Sequence, residues 1–469
     1  MLSVLAVVVT VSIAELHAIG DLDAPLPLAN PDTLRDAQGI RLEPRLPDET
    51  KILIERSKDN DKLWYAPGAV RHTPEGVEIW YQRVDKAQPE YLDQRVLCLG
   101  ILKQDGTFEL PALQPEPPAW GGPNNVVMRR SPHKPTWGGF NVFQMTEKDD
   151  ALWMFYWDQP AAEGEAGAML AKSTDGRAWE KLPGAVFTEH NDAYTLLKKD
   201  NQWILYQTML EDWPDKPYKD NLGLWKRVQC IRASEDLVHW SPQTPLLRPD
   251  EKDAPTTEFY LMKVFPYQGV YLGLLMKYFS DPAKPNEHSG IIVNELMMSK
   301  DARTWERPWR DTDIGFWGYP DPFWQNGKLK FVTWKDNAMV TMSYVNGAML
   351  ALVADEEGSF TTPPLPNGPV PIKQLRILCD THEGWIEITP MKDGQPLEGF
   401  PAQRLERGAG FTHVTAKHND MVEGNLAWGK PLPEGTVLRC VLHRAKLMEL
   451  ARPAVVTSRR AFADATPVE

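Results

Sequence analysis

"STDGRAW" occupies residues 173–179, and its outline returns twice, as "SEDLVHW" at 234–240 and "SKDARTW" at 299–305. Ser-x-Asp-x-x-x-Trp therefore recurs at a spacing of roughly 60 residues, the length of a supersecondary unit copied around an axis. Working outward, each copy closes a similar passage. A short strand leads to a turn, then to a second strand rich in aromatics, then to a third strand that runs into the serine. The passage before the first copy reads "GGFNVFQM", "ALWMFYWDQ" and "GAMLAKSTDGRAWEKL". The next reads "NDAYTLLKKDNQWILYQT" and "RVQCIRASEDLVHWSP", and the third "TEFYLMKVFPYQGVYLGLLMKY" and "IIVNELMMSKDARTWERP".

Two further passages keep the order without the signature. One stands near the start, "LWYAPGAVRHTPEGVEIWYQ" with "RVLCLGILKQDGTFELP"; the other follows the third repeat, "GYPDPFWQNGKLKFVTW" with "GAMLALVADEEGSFTTPP". Asp105-Gly106 and Asn326-Gly327 supply hairpin turn chemistry, and no amphipathic helix of 10–15 residues lies between the strands. Small antiparallel sheets at this period close as a ring, so the fold class is all-β: a five-bladed β-propeller followed by a small β-sandwich. In such a ring the Ser-x-Asp turn links a blade's third and fourth strands, its side chains tie backbone N–H groups, and its Trp packs between blades. The motif is architecture, not active site.

The sequence divides into a signal peptide at 1–18, an N-terminal extension at 19–54, the propeller at 55–366, a β-sandwich at 367–450 and a disordered tail at 451–469. The sandwich reads as alternating strands such as "LRILCD", "GWIEITPM" and "TVLRCVLHRAKLMEL" after the linker "NGPVPIKQ". Leu2–Ala14 is apolar, too short to span a bilayer, and ends in small residues, which points to export to the outside or the periplasm although no Lys or Arg precedes Arg35. A net charge of −13 argues against a nucleic-acid partner. No other segment is membrane-spanning, and a monomer is expected. Of 4 cysteines, Cys98 and Cys230 read as core, and Cys379 and Cys440 could pair if the protein is exported. No CxxC, HExxH, GxSxG or Gly-rich phosphate loop is present, so neither cofactor nor catalytic metal is expected. His133, His190 and His288 read as hydrogen-bonded or exposed, and a structural calcium in the channel stays open.

The axial channel of a propeller is lined by each blade's first strand, so these strands should carry any chemistry. The second offers His133, Trp137 and Asn141; the third His190, Asn191 and Asp192; the fourth Glu258; the fifth Trp317, Tyr319, Asp321 and Trp324. Acids from distant parts of the chain meeting on one axis are what glycosidic bond cleavage requires, one as proton donor and one as base or nucleophile. The 18 tryptophans include rings on which the apolar face of a sugar could stack. Each acid also has a plain reading, as a solvated or turn-capping residue at a strand start. Arg129-Arg130, beside Asn124-Asn125, could contact a uronate or sulfate, or simply face solvent.

At these residues the chain resembles the five-bladed propeller glycoside hydrolases, the group of families 32, 43, 62 and 68, over residues about 55–366. "NDAYTLLKKDNQWILY" matches the third-blade opening of family 43, and the resemblance implies that Asp192 tunes the acid or stabilises the transition state. "TEFYLMKVFPYQGVYLGL" matches the fourth, which implies that Glu258 is the general acid. The appended sandwich is similar to that of family 32. Those families place their base or nucleophile at the start of the first blade, where "WYAPGAV" has no Asp; Asp321 in "PDPFW" is the substitute candidate. The expectation is thus a glycoside hydrolase with Glu258, Asp192 and Asp321 as catalytic residues and Trp137, Asn141, His190, Trp317 and Tyr319 as sugar contacts. The alternatives are a non-catalytic glycan-binding propeller, or a lyase or phosphorylase on the same scaffold.

Overall fold

The computed structural model describes residues 26–133, 139–159, 166–189, 192–365, 372–418 and 420–451. The expected signal peptide and, beyond Ala451, the tail lie outside them. The chain forms two compact units, one spanning Leu46–Gly347 and one joining the residues up to Arg45 to those from Ala348 onward.

The first unit is a ring of five sheets. The first blade runs Leu63–Thr73, Gly76–Asp85, Arg95–Leu102 and Phe108–Glu109, with Val126–Arg129 also on its third strand. Blade two is Asn141–Lys148, Ala151–Asp158, Gly167–Ser173 and Glu180–Lys181; blade three is Tyr194–Lys199, Gln202–Asp212, Trp225–Ser234 and Thr244–Leu247. Blade four has Thr257–Tyr267, Val270–Ser280 and Gly290–Ser299, with a bridge from Met298 to Glu306 in place of a fourth strand. Blade five is Phe323–Gln325, Lys328–Lys335 and Ala338–Val345, completed by Glu49–Ile54 from the start of the unit. Second strands are sandwiched between neighbouring sheets, which is why "ALWMFYWD" is a continuous apolar run and not an alternating one: all but Ala151 are buried.

Each first strand reverses through a two-residue turn, at 74–75, 149–150, 200–201, 268–269 and 326–327. Asp149 and Asp150, Gln268 and Gly269, and Asn326 and Gly327 all have positive φ, the conformation whose twist suits a hairpin. The Ser-x-Asp motif closes the outer turn as the sequence suggests. Ser173, Ser234 and Ser299 accept through Oγ from the N–H of Gly176, Leu237 and Ala302, and these three residues take φ of 76°, 71° and 63°. The preceding blade's second strand then docks on that turn. Trp80 donates to Gly176 O at 2.9 Å, Tyr206 to Ala302 O at 2.7 Å, and Phe155 meets Trp240 edge-on at 5.5 Å.

Two boundaries differ from the sequence expectation. Glu49–Ile54 belongs to blade five rather than to an extension. Leu350–Thr361, expected as that blade's outer part, instead pairs with the C-terminal strand Val437–Ala451. The reason is that Ala338–Val345 already has Lys328–Lys335 on one side and Glu49–Ile54 on the other.

The second unit is a 10-stranded antiparallel arrangement around Val437–Ala451, consistent with a sandwich. That long strand pairs with Trp385–Lys392 along its first half and with Gln374–Asp380 along its second. Its core includes Leu352, Phe360, Ile377, Ile388, Leu442 and Leu447, together with Leu26 and Leu28 from the other end of the chain. Cys379 and Cys440 are buried in this core as free thiols, and burial pushes both well above the usual thiol range. Among the described residues no helix is long and apolar enough to cross a membrane.

Candidate functional site

The first strands of the propeller converge on an axial cavity of about 280 Å³. Six aromatic residues line it: Trp64 and Tyr65 from blade one, Tyr260 from blade four, and Trp317, Tyr319 and Trp334 from blade five. Trp317 and Tyr319 pack edge to face at 4.7 Å, and Trp317 meets Trp334 at 6.2 Å. The polar part of the wall is Gln82, Arg95, Asn141 and Asp192.

These residues are held by side chains reaching from one strand to the backbone of another. Gln82 donates to Phe140 O, Thr208 to Tyr260 O and Thr333 to Trp317 O. Tyr260 is the extra residue of a bulge between Phe259 and Leu261, and a bulge re-aims a side chain that strict alternation would send elsewhere. Further along the same strands Gln144 crosses the axis. It donates to Tyr319 O in blade five, and accepts from Leu196 N–H in blade three at 3.1 Å and from Lys263 Nζ in blade four at 2.9 Å. One amide thus ties four blades together.

Asp192 is the one carboxylate on the cavity wall among the described residues. Its Oδ2 accepts from the N–H of Gly139 at 3.2 Å and from Asn141 Nδ2. Burial pushes its carboxyl above the ordinary Asp value, against the pull of the Arg95 guanidinium and of these hydrogen bonds. Arg95 donates from Nη1 to Asn141 Oδ1 at 2.7 Å and to Phe140 O at 3.4 Å. Asn141 therefore bridges the guanidinium and the acid.

Of the sequence candidates, Asp192, Asn141, Trp317 and Tyr319 come together here; Trp137 and His190 lie outside the described residues. Glu258 is fully buried and is not on the cavity wall. Its Oε1 accepts from Tyr218 at 2.8 Å and pairs with Lys216 at 3.0 Å, and its Oε2 pairs with Arg227 at 2.6 Å. Asp220 pairs with both cations, at 3.0 Å with Lys216 and 3.8 Å with Arg227. This four-charge cluster sits behind the wall: the Arg227 guanidinium lies 5.1 Å from the Tyr260 ring. Asp321 is half exposed, pairs with Lys263 at 2.6 Å, and is likewise off the wall. Arg129 pairs with Asp93 at the surface. His288 stacks on Tyr278 at 5.0 Å, and among the described residues no cluster of three metal-binding side chains forms.

No protein-family model matches the chain, and no curated protein matches it. Among solved structures it is similar to one titled "Glycoside hydrolase", with TM-score 0.43 and 10% identity over 71% of this chain and 95% of that one. The Bombyx mori GH32 beta-fructofuranosidase BmSUC1 gives TM-score 0.43 and 10% identity over 86% and 95% of the two chains. A putative glycoside hydrolase from Parabacteroides distasonis gives 0.41 and 11% over 70% and 97%. At that level of likeness the cavity's own residues decide the chemistry.

Sequence reasoning missed Arg95, Gln82, Trp64, Tyr65, Tyr260 and Trp334. Arg95 left a trace, being the charged residue that opens the apolar run "RVLCLGIL". Tyr260 left none, because alternation does not reveal a bulge.

Proposed function

We propose that the axial cavity binds a carbohydrate and that the protein is a glycoside hydrolase with Asp192 as its acid. The observation that carries this reading is Asp192 itself, a carboxyl with a raised pKa on the wall of an aromatic cavity. The rings offer flat apolar faces to a sugar, while Asn141, Gln82 and Arg95 offer partners to its hydroxyl groups. A carboxyl that keeps its proton above the usual range can donate it to the glycosidic oxygen as the C1–O bond breaks. Water then adds to the anomeric carbon and its proton passes to solvent or back to Asp192. The apolar run at Leu2–Ala14 supports export, where polysaccharide substrates are met.

A second reading, glycan binding without cleavage, is favoured by one specific observation. Hydrolysis commonly employs two carboxyl groups flanking the bond, and the described wall supplies one. Glu258 and Asp321, the other two acids expected, are engaged by cations elsewhere.

The test is reducing-end release from a panel of polysaccharides by the intact protein and by Asp192→Asn. A hydrolase releases reducing ends, and the variant should lose at least about 100-fold of that rate. Release that survives the substitution removes Asp192 from the chemistry. Retention on a glycan without release selects the binding reading.

A further inference from the structure

We infer that the axial cavity selects sugars bearing an oxyanion, a uronate carboxylate or a sulfate ester, and that Arg95 is the residue that recognises it. The inference rests on the carbohydrate reading above and specifies its substrate class. Arg95 spends one nitrogen, Nη1, on Asn141 and Phe140. Its Nε and Nη2 have no acceptor among the described residues, so one edge of the guanidinium fork is left for a ligand on a cavity wall. The parallel N–H pair of that edge matches the two oxygens of a carboxylate or sulfate, which a lone hydroxyl does not.

The surrounding charges point the same way. Among the described residues the carboxylate that acts on Arg95 is Asp192; as the group that carries the proton in the reactive complex, it then leaves Arg95 uncompensated. Arg130 lies close enough to act on Arg95 as a like charge; its Nε is buried with no partner and its Nη2 donates to Tyr91. Asp158 acts on Arg130 as an opposite charge, so the local excess of positive charge is that of the Arg95 guanidinium beside a protonated Asp192, in a protein of net charge −13. Burying such an excess costs free energy unless an anion joins it. Gly139 packs directly against the Arg95 guanidinium, leaving room for it that a Cβ would take up, and the hydrogen bonds of Nη1 to Asn141 and Phe140 hold the fork at the wall.

The experiment compares binding of the intact protein to matched glycans by titration calorimetry. One arm uses polygalacturonate against its full methyl ester; the other uses a sulfated galactan against its desulfated form. The expected result is a preference of about tenfold or more for the charged member of one pair, with the pair itself telling carboxylate from sulfate. Arg95→Met should abolish the preference, and Arg95→Lys, which keeps the charge but not the fork, should retain only part of it. Equal binding of charged and neutral members, or a preference that survives in a folded Arg95→Met, overturns the inference while leaving the carbohydrate reading intact. If Arg95→Met does not fold, an undiminished preference in Arg95→Lys overturns it instead. Binding of no glycan in any arm overturns the inference too, while the carbohydrate reading is decided by the polysaccharide panel above.

Discussion

Asp192 and Glu258 are both acids at the mouth of a blade's first strand, yet their surroundings give them opposite consequences for stability. The Asp192 carboxyl is raised by burial, so the folded state binds a proton more tightly than the unfolded one. Its contribution is therefore most favourable below the unfolded Asp value near 3.9 and declines as pH rises towards the folded value. Asp192→Asn removes that decline, so the variant should melt higher than the parent at pH 7, and the advantage should vanish near pH 3. Glu258 instead balances Lys216 and Arg227 inside a fully buried cluster of two cations and two anions. Glu258→Gln leaves a buried positive charge unmatched, which costs about 3–5 kcal/mol. Scanning calorimetry of both variants across pH checks the pair. A Glu258→Gln that melts like the parent would mean that the cluster is not closed to solvent.

At the scale of the element, the Ser-x-Asp turn is where blade meets blade. Gly176 has φ of 76°, donates its N–H to Ser173 and offers its carbonyl to Trp80 of the preceding blade. A Cβ at this position would fall against the Trp80 ring. Gly176→Ala combines a left-handed backbone for an L-residue with overpacking, and the expected loss is about 2–4 kcal/mol. Thermal melting reads it, and an unchanged midpoint would show that the ring moves aside freely. Leu237 and Ala302 hold the corresponding conformation in blades three and four, which shows why the turn was legible in the sequence: its serine, aspartate and tryptophan are fixed, while the residue with positive φ varies. The site was only half legible for a related reason. Position at a strand mouth revealed Asp192, Asn141, Trp317 and Tyr319, because a propeller aims all its first strands at one axis. Whether a side chain at such a mouth faces the axis depends on a bulge and on neighbours many residues away. Tyr260 and Glu258, two residues apart, end respectively on the cavity wall and behind it.

For the whole propeller the decisive feature is how the ring closes. The repeat signalled five sheets, but the fifth is built from both ends of its unit, with Glu49–Ile54 pairing to Ala338–Val345. No local pattern could show this, since "ETKILI" reads as any exposed strand and only its partner, some 290 residues on, defines it. A ring closed by such a strand should unfold as one body, because opening blade five exposes the flanks of blades one and four together. Replacing both Lys51 and Ile52 by Pro removes adjacent backbone donors, and in an antiparallel ladder consecutive residues point theirs to opposite sides, so one donor facing Ala338–Val345 is lost whichever it is. The expected cost is about 3 kcal/mol, which for a unit of this size lowers the midpoint by roughly 5–10 °C. Calorimetry should show the propeller transition moving down intact. If a small new transition appears below an unshifted main one, the closing strand frays alone and the five blades are not held as a single cooperative ring.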